Sequence, residues 1–277
     1  DERSIYAPVP LLSSLIQGAL ESGTDLTAGG AKYRTHGMLA ESAAHTIDSL
    51  CGIKKIVFDN RDVAMTDVRR ALDTNFKDSE NIRLLMQRAP KYGNDNLEAD
   101  EMGRKVIDGF TSIVAKAAAE NASVVRFPCG VATFSWYIGI GEGLGASPDG
   151  RRAGEPVSSN FSPALGRDAQ GIPPAILSYG SMPHDKLPAG GPLDLRIGAS
   201  NVEGPDGTSR LTGLVRGFME TGGSMLTITV ADTEELKDAQ AHPDRHESLR
   251  VRMGGWCAYF TALSREQQDH HIKRQEG

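Results

Sequence analysis

The groups able to do chemistry are few and scattered. The three cysteines, Cys51, Cys129 and Cys257, are an odd number at wide spacing. They make neither a zinc-type pair nor a disulfide framework, and a reducing cytoplasm suits them best. His242 and His246 stand four apart with Asp244 between, the spacing of a helical metal pair. Pro243 breaks the helix there, so surface histidines are the better reading and no metal site is expected. His270 and His271 fall on a helix that reads as exposed. Gly141-Glu-Gly-Leu-Gly-Ala146 fits a G-x-G-x-x-A dinucleotide pattern, which needs a helix to begin at the glycines. Pro148 and Asp149-Gly150 predict a turn instead, and an ordered glycine-rich loop is preferred. Arg151-Arg152 could hold an anion with paired donors, though an internal anchor tied to carboxylates fits the segment better. Gly254-Gly255, taken by itself, is a turn between a strand and a helix.

Composition excludes several classes. A chain of 277 residues can bury a sizeable core, and 39% apolar with 24% charged residues is ordinary for a globular protein. A net charge of −6 argues against an extended nucleic-acid surface. No apolar run is long enough to span a membrane, and no basic-then-apolar leader opens the chain. The chain begins at Asp1 without Met, and residues 7–12 read as a connection into a helix; a piece of a longer protein is expected.

The elements that must position these groups follow from periodicity. Helices are expected over residues 11–20, stopped at Gly23, over 39–57, over 67–76 with Thr66 as N-cap, and over 80–88. The clearest covers 98–120, where Met102, Val106, Phe110, Ile113, Val114 and Ala117 form one stripe. A short strand follows at 123–127, and the Gly/Pro-rich stretch from 139 to about 208 reads as ordered against a scaffold. Ser209 caps a helix carrying Leu211, Leu214, Val215, Phe218 and Met219 on one face, ended by Gly222-Gly223. In the strand at 225–230, Leu226, Ile228 and Val230 share a side. Asp232 with Glu235, and Ser264 with Gln267, form capping boxes for helices at 233–240 and at the C-terminal end. A strand at 249–253 lies between them, and this alternation gives an α/β architecture.

Leu249-Arg-Val-Arg-Met-Gly-Gly-Trp-Cys-Ala-Tyr-Phe260, followed by Leu263-Ser-Arg-Glu-Gln-Gln-Asp269, resembles the glycyl radical domain that closes enzymes of the pyruvate formate-lyase superfamily. Three further stretches agree in family order: Gly29-Gly30-Ala-Lys-Tyr33, Pro90-Lys-Tyr-Gly-Asn-Asp95, and Ala146-Ser-Pro-Asp-Gly-Arg-Arg-Ala-Gly-Glu-Pro156 with Ser162-Pro163 and Gly166-Arg-Asp168. The matching radical glycine is Gly255. Glycine is also what the chemistry needs there. Losing an α-hydrogen leaves a carbon radical stabilised by amide donation and carbonyl withdrawal, which requires a flat α-carbon that only glycine reaches without a side-chain clash. Met253, Trp256 and Phe260, with Tyr259, are the expected apolar surround of that radical.

The resemblance implies the C-terminal part of a glycyl-radical-enzyme barrel, that is, the second α/β half-barrel plus the glycyl loop. Residues 1–145 would belong to the barrel domain and 146–277 to the glycyl radical domain. It implies no bound cofactor, but a radical on Gly255 installed by a radical S-adenosylmethionine activating enzyme with an iron–sulfur cluster. The other implied partners are a small organic substrate and a second copy in a homodimer, with no nucleic acid and no membrane. In the family a cysteine upstream of the part matching Gly29-Gly30 carries the thiyl radical, and none of the three cysteines here fits that place. Arg34 after Tyr33, Val157-Ser-Ser-Asn-Phe161 and Trp256 depart from the commonest pattern. They point to a lyase branch (dehydratase or arylacetate decarboxylase) cleaving C–O or C–C, with a fumarate-adding hydrocarbyl-succinate synthase or a non-catalytic spare glycyl subunit as alternatives.

Overall fold

The computed structural model describes residues 3–120, 125–253 and 255–273. The chain divides into two compact units, residues 1–38 with 112–128, and residues 39–111 with 129–277. In the first, the expected helix over 11–20 is broken into single turns, Pro10–Ser13 and Ala19–Ser22. The Asp25 carboxylate accounts for this. It accepts from the Val9 N–H and the Ser13 hydroxyl, tying the first turn to its own loop at 3.0 and 2.9 Å. Part of the strand expected at 123–127 lies outside the described residues; Arg126 bridges to Thr35.

The second unit opens with α1 (Ala43–Gly52), which continues as a π-helical stretch, Ile53–Asp59. The helix therefore starts later than expected and changes pitch. At the junction, a Cβ on Gly52 would stand 2.7 Å from the Pro148 carbonyl oxygen, so only glycine lets the helix meet that loop. Helix α2 (Met65–Asp73) begins after Ala64, not at a Thr66 cap, and α3 (Glu80–Arg88) has the expected bounds. Ile56, Val68, Ala71, Phe76, Ile82 and Met86 bury together beneath these helices. Helix α4 (Leu97–Glu120) buries Ala99, Asp100, Gly103 and Ile107.

Strand β1 (Cys129–Val131) and helix α5 (Tyr137–Glu142) lead into the Gly/Pro-rich stretch, which is ordered as expected. It contains two elements that composition concealed. These are α6 (Ile172–Gly180), with proline in its first turn where no N–H is needed, and β2 (Leu193–Ile197). Helix α7 (Gly204–Glu220) starts ahead of Ser209, again with a proline in the first turn. Strand β2 pairs in parallel with β3 (Leu226–Val230), Leu193 opposite Leu226 through Ile197 opposite Val230.

The side of β3 that turns inward is not the expected one. Thr227 and Thr229 are each 4% exposed, while Val230 is 41% exposed. The threonines are inside because they have polar work there. Thr227 donates to buried Asp194 at 2.6 Å, and Thr229 accepts the Arg252 N–H at 3.0 Å. Asp194 also accepts from Ser159 and Asn160 at 2.6 and 2.7 Å, so one carboxylate ties β2 and β3 to the 159–160 segment.

Helix α8 (Thr233–Ala241) lacks the expected side-chain cap, because Asp232 turns back to accept the Ala199 N–H at 2.9 Å. Strands β4 (Arg250–Met253) and β5 (Trp256–Tyr259) form an antiparallel hairpin, and α9 (Arg265–Lys273) follows. The Ser264–Gln267 capping box is present, with both reciprocal bonds made at 3.2 and 3.3 Å. A core of Tyr137, Val157, Leu236, Val251, Met253, Phe260 and Ile272 joins hairpin, helices and the 157 segment.

The Gly255 hairpin as candidate functional site

Gly255 sits at the tip of the β4–β5 hairpin, with Met253 and Trp256 as the last ladder pair. Its φ is +115°, a backbone state that residues with a Cβ rarely adopt. Gly255 is exposed. Among the described residues, and apart from its chain neighbours, one atom comes within 4 Å of the place where a Cβ would stand: the Met225 Cε, at 3.9 Å.

The hairpin is fixed from beneath. Strand alternation sends Val251 and Met253 inward, at 1% and 2% exposure, and Phe260 is fully buried. Trp256 and Tyr259 face outward, about half exposed. Of the aromatic and thioether side chains near the loop in sequence, Met253 and Phe260 thus anchor it in the core while Trp256 lies on its surface. Arg252 donates to Cys257 Sγ at 3.2 Å, and the Arg250 guanidinium lies 5.0 Å from the Tyr259 ring centroid.

His270 and His271 are buried, at 5% and 2% exposure, where an exposed pair was expected. The reason is tertiary. Tyr137 lies 4.4 Å from the His270 ring, and His271 Nε2 is 3.0 Å from Met253 Sδ. Arg196 of β2 bonds the His271 carbonyl and its Nδ1. The residue preceding Gly254-Gly255 is therefore clamped through α9 to the parallel sheet.

The remaining candidates resolve differently. Cys51 and Cys129 are core residues at 4% and 6% exposure. Burial, with the Asp48 carboxylate nearby, pushes the Cys51 thiol up to about 12, and burial also raises Cys129. His242 and His246 both hold Asp238, at 2.9 and 2.7 Å. At the G-x-G-x-x-A motif no helix begins; α5 ends there, and a Cβ on Gly141 would stand 2.3 Å from the Glu155 carbonyl oxygen. Arg151 is an internal anchor whose guanidinium donates to the carbonyls of Gly145, Arg152 and Glu155, while its backbone N–H donates to the Asp149 carboxylate at 3.3 Å. Arg152 does bind a carboxylate, Glu80, at 2.6 Å.

A buried polar group that sequence reading passed over lies behind the Pro90–Asp95 motif. Asp48 is fully buried and accepts the Tyr92 N–H at 2.8 Å, while its Oδ2 has no hydrogen-bond partner among the described residues. Burial pushes its carboxyl up to about 7, with the Asp149 carboxylate adding to the rise and Lys91 and the Tyr92 N–H opposing it. The unfolded chain would titrate it near 3.8. Between those values the folded state keeps a proton that the unfolded state has lost, so stability falls as pH rises through this window. Asp48→Asn keeps an acceptor for Tyr92 and removes the titration. It should match the wild type in urea unfolding at about pH 4 and exceed it by up to ~4 kcal/mol at about pH 8. A stability difference that does not change with pH would contradict this account.

Known proteins place the hairpin in context. The pyruvate formate lyase-like family model matches residues 3–141, and the glycine radical family model matches residues 157–261, a span that includes Gly255. The chain belongs to the glycyl radical enzymes of the pyruvate formate-lyase superfamily.

Among relatives of this glycyl radical enzyme chain, trans-4-hydroxy-L-proline dehydratase of Clostridioides difficile is 34% identical over 272 residues, covering 98% of the chain and 34% of the relative. Isethionate sulfite-lyase of Bilophila wadsworthia is 32% identical over 235 residues, 82% of the chain and 28% of the relative. Among solved structures, the glycerol-bound B12-independent glycerol dehydratase from Clostridium butyricum matches with a TM-score of 0.89 at 31% identity, covering 98% of the chain and 34% of that protein. The chain spans about a third of the length of these relatives. Its α/β elements are those of a partial glycyl-radical-enzyme barrel, as expected. Among the described residues, no helix is long and apolar enough to cross a membrane.

Proposed function

We propose that the protein containing this chain is a glycyl radical lyase that stores its radical on Gly255 and cleaves a C–O bond of a small hydroxylated substrate. The observation that carries the reading is Gly255 itself: a glycine at φ +115° on a hairpin tip, inside the stretch matched by the glycine radical family. Residues 1–145 would supply barrel and 146–277 the glycyl radical domain, a division supported by the two family matches.

In this mechanism a radical S-adenosylmethionine activating enzyme removes one hydrogen atom from the Gly255 α-carbon. A cysteine thiol upstream of this chain then returns a hydrogen to Gly255 and becomes a thiyl radical. The thiyl takes hydrogen from a substrate carbon that bears an O–H or N–H and adjoins the hydroxyl-bearing carbon. That O–H or N–H gives up its proton as the neighbouring hydroxyl leaves, so water departs, the C–O bond breaks and the radical passes to the carbon that held it. Hydrogen returned from the thiol completes the product and restores the thiyl, so the radical is not consumed. The chain's own contribution is to hold Gly255 at the hairpin tip while Met253, His271 and Arg196 fix the strand that leads to it. The dehydratases and sulfite-lyase among the relatives support elimination over fumarate addition. The match over residues 3–141 argues against a spare subunit, which would need only the glycyl part.

Turnover by the activated protein on small diols and hydroxy acids is the test. Cys51→Ala, Cys129→Ala and Cys257→Ala should each leave radical formation and turnover in place, whereas Gly255→Ala should abolish both. Loss of turnover in one cysteine variant that keeps its radical and its fold would place the thiyl inside this chain and overturn the reading.

A further inference from the structure

Met225 lies just ahead of β3, and its backbone is held at both ends. Its N–H donates to the Tyr179 hydroxyl at 3.3 Å, and its carbonyl accepts the Leu193 N–H at 2.9 Å. Tyr179 is fully buried. Its hydroxyl donates to the Gly191 carbonyl at 2.5 Å and lies 3.0 Å from Ser224 Oγ, and its ring stacks on Phe218 at 5.5 Å. The residue is thus fixed by main-chain and buried hydroxyl bonds, while its side chain, 39% exposed, reaches out from the sheet. Its terminal methyl stops 3.9 Å from the Cβ position of Gly255, an ordinary van der Waals contact. A Cβ on an L-residue occupies the place of the pro-S hydrogen of glycine. The two faces of the Gly255 α-carbon are therefore unlike, and a thioether covers one of them.

We propose that Met225 is a positioning residue that shields the pro-S face of the radical stored on Gly255. This rests on the assignment of the radical to Gly255. A flat carbon radical is open to oxygen on both faces, and oxygen adds by forming a C–O bond that turns the radical into a peroxyl radical. A flexible thioether methyl lies against that face and can shift with the backbone as it flattens. Met253 and Phe260 do not reach this face: neither comes within 4 Å of the Cβ position.

The experiment compares the wild-type protein, Met225→Ala and Met225→Leu. Each is activated without oxygen, then exposed to air while the radical is followed by electron paramagnetic resonance. Met225→Ala should reach the wild-type radical yield under anaerobic conditions and keep the wild-type melting temperature, yet lose the signal several-fold faster in air. Met225→Leu, which restores apolar bulk, should decay close to the wild-type rate. Equal decay in air for wild type and Met225→Ala would overturn the shield while leaving the Gly255 assignment intact. A Met225→Ala protein that folds but is not activated would also overturn it, placing the residue in activation and not in storage. No glycine-derived signal in the activated wild type would overturn the Gly255 assignment, and this proposal with it.

Discussion

Activated protein exposed to air is expected to break at Gly255. The radical leaves an unpaired electron on a backbone carbon, and molecular oxygen, itself a diradical, adds there with almost no barrier. The peroxyl species that results fragments the chain at the same residue. Among the described residues, Met225 is the one side chain beyond the chain neighbours of Gly255 that comes within 4 Å of its Cβ position. Mass spectrometry should find a truncated protein ending next to Gly254 and a released piece beginning at or beside Gly255. Unactivated protein treated the same way should stay whole, and so should Gly255→Ala after exposure to the activating enzyme. The effect is close to all-or-none, because each radical oxidised is one chain cut. Cleavage at another residue, or cleavage without activation, would place the radical elsewhere.

Which parts of the molecule could be read from the sequence depends on whether the signal is local. Helix α3 and the Ser264–Gln267 box were legible because cap, periodicity and stop all lie within a dozen residues. The glycyl loop was legible because its residues are consecutive. Elements α6 and β2 were hidden, because the prolines that fit a first helical turn look like loop when the following helix is short. The inward face of β3 was misread for a different reason. Its apolar alternation is real, but Thr227 and Thr229 are drawn inside by Asp194 and by the Arg252 N–H, partners that lie 33 and 23 residues away. The burial of His270 and His271 depends likewise on Tyr137 and Met253. Met225 carries no sequence mark at all; its contact with Gly255 exists only once β3 and the hairpin are side by side. The consecutive residues of the loop single out Gly255 as the proposed radical site, and only the fold reveals what touches it.

The same logic makes Gly255→Ala the substitution with the largest expected consequence. A methyl group there would have to be accepted at φ +115°, which strains the hairpin tip, and it would meet the Met225 methyl at 3.9 Å. More decisively, an alanyl radical must press its methyl against the neighbouring carbonyl and amide as the α-carbon flattens, so the stabilisation that makes the stored radical persistent is lost. The variant should fold, because the contact is at ordinary distance, yet hold no radical and turn over no substrate.

Electron paramagnetic resonance on the protein activated without oxygen tests the central claim most directly. The account predicts an organic radical signal dominated by a doublet from the one remaining α-hydrogen of Gly255. That doublet should collapse when the protein is made with glycine deuterated at the α-carbon, and the signal should be absent from Gly255→Ala. The same signal persisting in Gly255→Ala, or a doublet unmoved by the deuterated glycine, would contradict it.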